Sequence, residues 1–191
     1  MISRESLLSL EAYARERNAF RAKVMEHKKR RRVHLGEHVT LQFEDELTIR
    51  YQVQEMLRIE RIFEEAGIQH ELETYNPLVP DGSNWKATLL IEYPDVEERR
   101  RMLALLKGIE RLVWVQVQGC ERVFAIADED LERENEEKTS SVHFLRFELE
   151  PAMRERLRHG AGVTVGVDHP EYRARAELPA AVREALVADL A

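Results

Sequence analysis

Apolar positions recur with a helical period in the first third of the chain. In residues 10–32, and again in residues 47–66, they fall three or four positions apart, which predicts two amphipathic helices. Between these segments, residues 38–44 alternate apolar and polar side chains, as a half-buried strand does. The pattern therefore predicts an N-terminal α-β-α unit whose two helices pack side by side.

Strand patterns dominate the rest of the chain. Short apolar or alternating runs, bounded by turn-forming residues, predict strands at positions 87–93, 112–118, 122–127, 142–149 and 163–167. Helical periods predict helices at positions 95–107, 151–160 and 180–190. We expect an α+β fold with a mostly antiparallel sheet and helices packed on it. One domain is expected over residues 1–191, with a helical lobe (1–70) and a sheet-containing lobe (71–191).

Polar residues interrupt the apolar side of the second predicted helix. Winding residues 47–66 at a helical period places Gln52 and Glu60 on the same stripe as Met56 and Ile59. A buried carboxylate is costly unless a partner stabilises its charge. The sequence therefore predicts that Glu60 is buried and paired.

Arg17 is the expected partner of that carboxylate. It lies between two aromatic residues on the apolar side of the first predicted helix. Two interpretations remain open: a salt bridge in the core without a ligand, or a pocket in which Glu60 is a ligand or base and Arg17 orients it. Gln52 and Glu55 would line such a pocket as further ligand-binding residues.

A turn near the C-terminal end supplies the other candidates. His169 and Tyr172 lie in an Asp-His-Pro-Glu-Tyr segment at the end of a predicted strand, a common position for binding residues. Glu60 and His169 form the candidate metal pair, and carboxylates suit a hard metal ion or iron. No predicted helix carries the Glu-x-x-His pair of di-iron bundles. The alternative is a turn in which His169 bonds the local backbone.

Composition narrows the function classes. The chain of 191 residues carries a net charge of −7, which argues against a general nucleic-acid-binding protein. Its single cysteine, Cys120, excludes an internal disulfide, and the cytoplasm is the expected compartment. No apolar run approaches the ~18 residues that a membrane span needs. Phosphate-binding glycine motifs and the GxSxG motif of serine hydrolases are absent.

Charge is unevenly spread along the chain. Basic residues dominate positions 15–34, and acidic residues dominate positions 128–138. Runs of this kind are usually solvated surface. Alternatively, the basic run is an anion-binding patch, or the two runs meet in a homodimer.

Several segments resemble those of an uncharacterised bacterial family of about this length. They are KKRRRVHLG at 28–36, QVQEMLRIE at 52–60, YNPL at 75–78 and DHPEY at 168–172. The resemblance spans nearly the whole chain and implies a domain of unknown function, often encoded near rubrerythrin and an iron–sulfur oxidoreductase. It implies redox or peroxide-defence work, with iron or another divalent metal as the cofactor, and it assigns no catalytic residue.

Three function classes follow from these observations. The leading hypothesis is a cytoplasmic accessory or binding protein of a redox or oxidative-stress system, which holds a small anion or a metal ion beside the Arg17–Glu60 pair. The alternative is a small enzyme, with Glu60 as general base and His169 or Tyr172 as acid. The third is an interaction module without a catalytic site. A redox protein or a second copy of the chain is the expected partner, rather than a membrane or a nucleic acid.

Overall fold

The computed structural model describes residues 1–129 and 135–191, so part of the acidic run, residues 130–134, lies outside the described residues. The helices are α1 (Leu10–Lys29), α2 (Glu46–Glu60), α3 (Glu65–Tyr75), α4 (Val96–Leu105), α5 (Pro151–Arg158) and α6 (Ala180–Val187). The strands are β1 (Arg32–Leu35), β2 (Val39–Glu44), β3 (Asn84–Ile91), β4 (Val113–Val117), β5 (Arg122–Phe124), β6 (Ile126–Ala127), β7 (Val142–Glu148), β8 (Val163–His169) and β9 (Tyr172–Glu177). Within these residues, no helix is long and apolar enough to cross a membrane.

Two antiparallel sheets form the centre of the fold. One has the strand order β1-β2-β3-β7-β6 and the other β5-β4-β8-β9, and each described pair of neighbours is antiparallel. The predicted α+β class, with its mostly antiparallel sheet, is thereby confirmed. A single residue, Ala125, separates β5 from β6, so the chain passes there from one sheet to the other.

The main core contains inward side chains of both sheets. Alternate residues of β2, such as Leu41 and Phe43, belong to it, because successive side chains of a strand point to opposite faces. A second apolar cluster joins Val53 and Leu57 of α2 to Leu72 of α3. The N-terminal helices therefore have an apolar cluster of their own, and the one-domain organisation with two lobes stays a prediction.

The helix predicted over residues 47–66 extends too far, because α2 ends at Glu60. Asp45 caps α2 at its start, but the chain leaves the helix at Arg61, whose φ of 55° is left-handed. The Arg61 amide then donates to the Arg58 carbonyl and the Ile62 amide to the Leu57 carbonyl, the pattern of a Schellman C-terminus. Phe63, which follows this break in the helix, is 74% exposed.

Two edge strands were missed and one hairpin was found. The first predicted helix was extended to residue 32, but it ends at Lys29, and β1 follows. The pattern YRARAE of β9 alternates half-buried and exposed side chains, as a strand does. The sequence predicted only a turn at residues 168–172 and no strand after it. The strands predicted at 112–118 and 122–127 correspond to β4 and to β5 with β6, and β4 pairs with β5 across Gly119.

Candidate metal centre

Arg17 forms an ion pair with Glu55 of α2. Its Nη2 lies 2.6 Å from Glu55 Oε1 and its Nε 3.0 Å from Oε2. Tyr13 and Tyr51 each donate a phenolic O–H to the same carboxylate at 3.1 Å, and Arg58 donates as well. The hydrogen bond from Arg17 is the main cause that lowers the pKa of Glu55, to about 2. The geometry favours the interpretation of a structural salt bridge between α1 and α2.

Glu60 and Gln52 are exposed, so the prediction that they are buried is wrong. Glu60 is the last residue of α2 and lies beyond Leu57, the last α2 residue in the apolar cluster. The buried side of α2 contains Val53 rather than Met56, and Gln52 falls outside it. An exposed Glu60 lacks the burial on which the proposed pocket and the general-base alternative depended.

His169 and Tyr172 bond backbone groups. Nε2 of His169 lies 2.9 Å from the Lys107 carbonyl, and its Nδ1 accepts from the Glu171 amide at 3.1 Å. The Tyr172 hydroxyl donates to the Leu35 carbonyl, which joins β9 to the end of β1. The geometry favours the turn interpretation of His169. Both ring nitrogens of His169 are therefore engaged by the backbone and Glu60 is exposed at the end of α2, so the structure does not support the predicted metal pair.

A different acidic and histidine group does come together. One ligand atom from each of Glu110, Asp128 and His143 lies within 4.8 Å of the other two. Glu110 is in a 3₁₀ turn (Ile109–Arg111) before β4, Asp128 follows β6, and His143 is the second residue of β7. The antiparallel pairing of β6 with β7 brings Asp128 beside His143. This is the candidate metal centre.

His143 lies at the middle of the centre and is fully buried. Its Nδ1 lies 2.5 Å from Asp128 Oδ2, and its Nε2 lies 4.0 Å from Glu110 Oε2. Nε2 also lies 2.8 Å from Thr139 Oγ1 and 2.9 Å from the Ser140 carbonyl oxygen. Oxygen atoms therefore face both ring nitrogens, and at least three of them surround Nε2.

The backbone at Asp128 helps to aim its carboxylate. Its φ of 50° is left-handed, a conformation that aspartate tolerates better than most residues. The Asp128 amide donates to the Phe144 carbonyl at 2.9 Å, and its Oδ1 accepts from the Phe144 amide at 3.0 Å. These bonds leave Oδ2 to face Nδ1 of His143, and Nε2 can donate an electron pair to a cation when the ring proton is on Nδ1.

Glu110 has a buried carboxylate oxygen without a hydrogen-bond donor among the described residues. The residue is only 3% exposed, and within the described ranges its Oε2 has no hydrogen-bond donor. Leaving a buried acceptor unsatisfied costs about 1–3 kcal/mol, and more for a charged group. The cost disappears if a water molecule or a metal ion lies between this oxygen and Nε2 of His143, because the 4.0 Å between them is too long for a direct hydrogen bond.

The distances and the donor types fit a metal ion. Bonds of ~2.0–2.2 Å place two ligands of one ion at most about 4.4 Å apart. The 4.0 Å between Glu110 Oε2 and His143 Nε2 satisfies that limit. Imidazole nitrogen combined with carboxylate and other oxygens suits divalent manganese, iron or zinc. Asp128 then holds the imidazole from behind, as carboxylates commonly do for metal-binding histidines.

The same atoms also resemble an Asp–His–hydroxyl hydrolase triad, formed by Asp128, His143 and Thr139. However, Thr139 is only 1% exposed. A nucleophile must reach its substrate, and this hydroxyl is covered. The triad-like contacts are therefore better explained as support for the imidazole.

None of these three residues was a predicted site residue. His143 occupies an inward position of β7, in step with the buried Leu145 and Phe147, so the alternation of that strand was a usable signal. Asp128, which directly follows an apolar run, was a weaker one. Glu110 lies in a short turn without periodicity, and nothing in its local sequence marks it as buried.

Comparisons with known proteins agree with the family resemblance. A family model described as "Protein of unknown function (DUF3501)" matches residues 1–190. Among solved structures, the chain is similar to a novel protein of unknown function from Burkholderia pseudomallei K96243, with 55% identity, a TM-score of 0.94 and coverage of 100% of this chain and 99% of that one. The comparison with curated proteins gives no significant match.

Proposed function

We propose that this chain, which belongs to the DUF3501 family of proteins of unknown function, is a metal-binding protein that holds one divalent transition-metal ion. Glu110 Oε2 and His143 Nε2 bind the ion directly, and Asp128 positions the imidazole. The observation that carries the proposal is the buried Glu110 oxygen, which lacks a donor and lies 4.0 Å from Nε2.

The charges around the site support a cation over a neutral arrangement. Two carboxylates surround one imidazole, and the Ser140 carbonyl adds a partial negative charge at 2.9 Å from Nε2. For Glu110, the cation within ion-pair distance among the described residues is His143 itself, and only when that ring is protonated. A divalent ion would neutralise this excess of negative charge around His143. Thr139 Oγ1 and the Ser140 carbonyl would be available as further oxygen ligands.

A bound manganese or iron ion would supply Lewis-acid or redox chemistry at this place. The chain's own contribution is to keep Nδ1 of His143 protonated through Asp128 and to exclude bulk water from the site. We place the protein in the cytoplasm, as an accessory of a redox or oxidative-stress system. That role, a redox-protein partner and a homodimer are expectations of the sequence and of the family resemblance.

Metal titration of Glu110→Gln tests the proposal. The protein is stripped with a chelator, and binding of Mn²⁺, Zn²⁺ and, without oxygen, Fe²⁺ is followed by calorimetry. We expect one equivalent to bind the native chain and the variant to bind at least tenfold more weakly, since it loses a charged ligand. Glutamine keeps the shape of the side chain, so circular dichroism should confirm an unchanged fold.

His70→Ala is the matched control, because His70 is an exposed histidine on α3. It should bind the metal as the native chain does. If the native chain binds none of the three ions, the proposal is wrong. It is also wrong if Glu110→Gln and the native chain bind equally well, because the metal then lies elsewhere.

A further inference from the structure

A second site lies between the two N-terminal helices, independent of the metal centre. A cavity of about 250 Å³ opens where α1, α2 and the segment before α1 meet. Its lining includes Leu8, three residues of α1 (Glu16, Phe20 and Lys23) and two of α2 (Arg50 and Gln54). Leu8 and Phe20 supply the apolar part of the lining, and its charged side chains contain one more cation than anion.

Arg50 is the unusual residue of this cavity. Its Nε is buried and has no hydrogen-bond acceptor, and no described carboxylate pairs with its guanidinium. The guanidinium lies over the ring of Phe20, 5.7 Å from the centroid, a cation–π contact that gives its Nε–H no acceptor. An arginine fork without an acceptor is suited to a carboxylate or a phosphate, which it binds through two parallel hydrogen bonds.

Gln54 adds an oriented donor beside it. Its Oε1 accepts from the Leu8 amide at 2.7 Å, and its Nε2 donates one hydrogen to the Leu8 carbonyl at 3.3 Å. The amide is therefore pinned, and its second N–H is free to bind a ligand. Lys23, on α1, adds a mobile positive charge.

We propose that this cavity binds a small organic anion, with its carboxylate or phosphate group held by Arg50, Gln54 and Lys23. The volume of about 250 Å³ has room for an oxyanion with a short carbon body. Leu8 and Phe20 of the lining would contact the carbon part of the ligand. Glu16, which lines the same cavity, opposes a high negative charge on the ligand.

Thermal unfolding with simple anions tests this site. The melting temperature is measured with inorganic phosphate and with acetate against chloride at equal ionic strength, which separates phosphate from carboxylate preference. We expect at least one of the two anions to raise the melting temperature of the native chain. Titration should show at least tenfold weaker binding to Arg50→Gln and stronger binding to Glu16→Gln, because the latter removes a repulsive charge.

Arg21→Gln is the control, since Arg21 is an exposed arginine on the same helix as Lys23, and it should behave as the native chain does. If Arg50→Gln fails to fold, Lys23→Gln replaces it and should also weaken binding. Absence of any shift in the native chain overturns the proposal. Equal binding by the native chain, Arg50→Gln and Glu16→Gln overturns it as well, whatever the state of the metal centre.

Discussion

At the scale of single residues, a charged group on a predicted apolar face was a correct sign of pairing for Arg17 and a wrong sign of burial for Glu60. Arg17 was correctly singled out from its position between aromatic residues, and it does pair with α2. The partner is Glu55 rather than Glu60, because α2 ends at Glu60 and carries that side chain past the apolar cluster. The error came from extending one helical period across a break that the sequence shows only weakly.

Replacing Glu55 by glutamine should destabilise the protein. We expect the free energy of unfolding at pH 7 to fall by about 1–3 kcal/mol, since charged hydrogen bonds are lost. The pKa of Glu55 is lowered to about 2 in the folded state, below its unfolded value of about 4.3. Its stabilisation is therefore complete above that unfolded value and is lost as the pH falls toward 2. Urea unfolding at pH 7 and pH 3 measures both effects.

Glu60→Gln is the matched control for that experiment. Because Glu60 is exposed, the free energy of unfolding should change by less than about 0.5 kcal/mol. Equal destabilisation by the two variants would contradict the assignment of Glu55 as the structural partner.

At the scale of elements, the sequence predicted whether a segment is a helix or a strand better than it predicted where that segment ends. The capping aspartates at residues 45 and 95 and the turn glycine at 119 mark real boundaries. The end of α2 is different, because an arginine occupies the left-handed position that glycine usually takes. The next glycine, Gly67, lies inside α3.

Arg61→Gly should stabilise the protein. A non-glycine residue in the left-handed conformation costs about 1–2 kcal/mol, and the greater flexibility of glycine in the unfolded chain returns part of this. We expect a net gain of about 0.5–1 kcal/mol, seen as a higher melting temperature. The matched control is Ile59→Gly in the last turn of α2, where the side chain is exposed and glycine should lower the melting temperature. A fall for Arg61→Gly would show that this turn is not left-handed in solution.

At the scale of the whole molecule, the fold class could be predicted from the local pattern of the sequence. The candidate metal centre could not be predicted in this way. Local periodicity is enough to predict strands, helices and an antiparallel α+β fold. Glu110, Asp128 and His143 come from three separate elements, and only the pairing of β6 with β7 and the packing of the two sheets bring them together. No spacing of residues in the sequence predicts that these three side chains lie together.

The central claim is that a metal ion lies between Glu110 and His143. The most direct measurement is a crystal structure of the full chain grown with Mn²⁺ or Zn²⁺ and recorded at the absorption edge of that metal. We predict one anomalous peak, ~2.0–2.2 Å from both Glu110 Oε2 and His143 Nε2. A map without a peak at this position, in which Glu110 Oε2 instead bonds a water molecule or a proton donor, would contradict the claim.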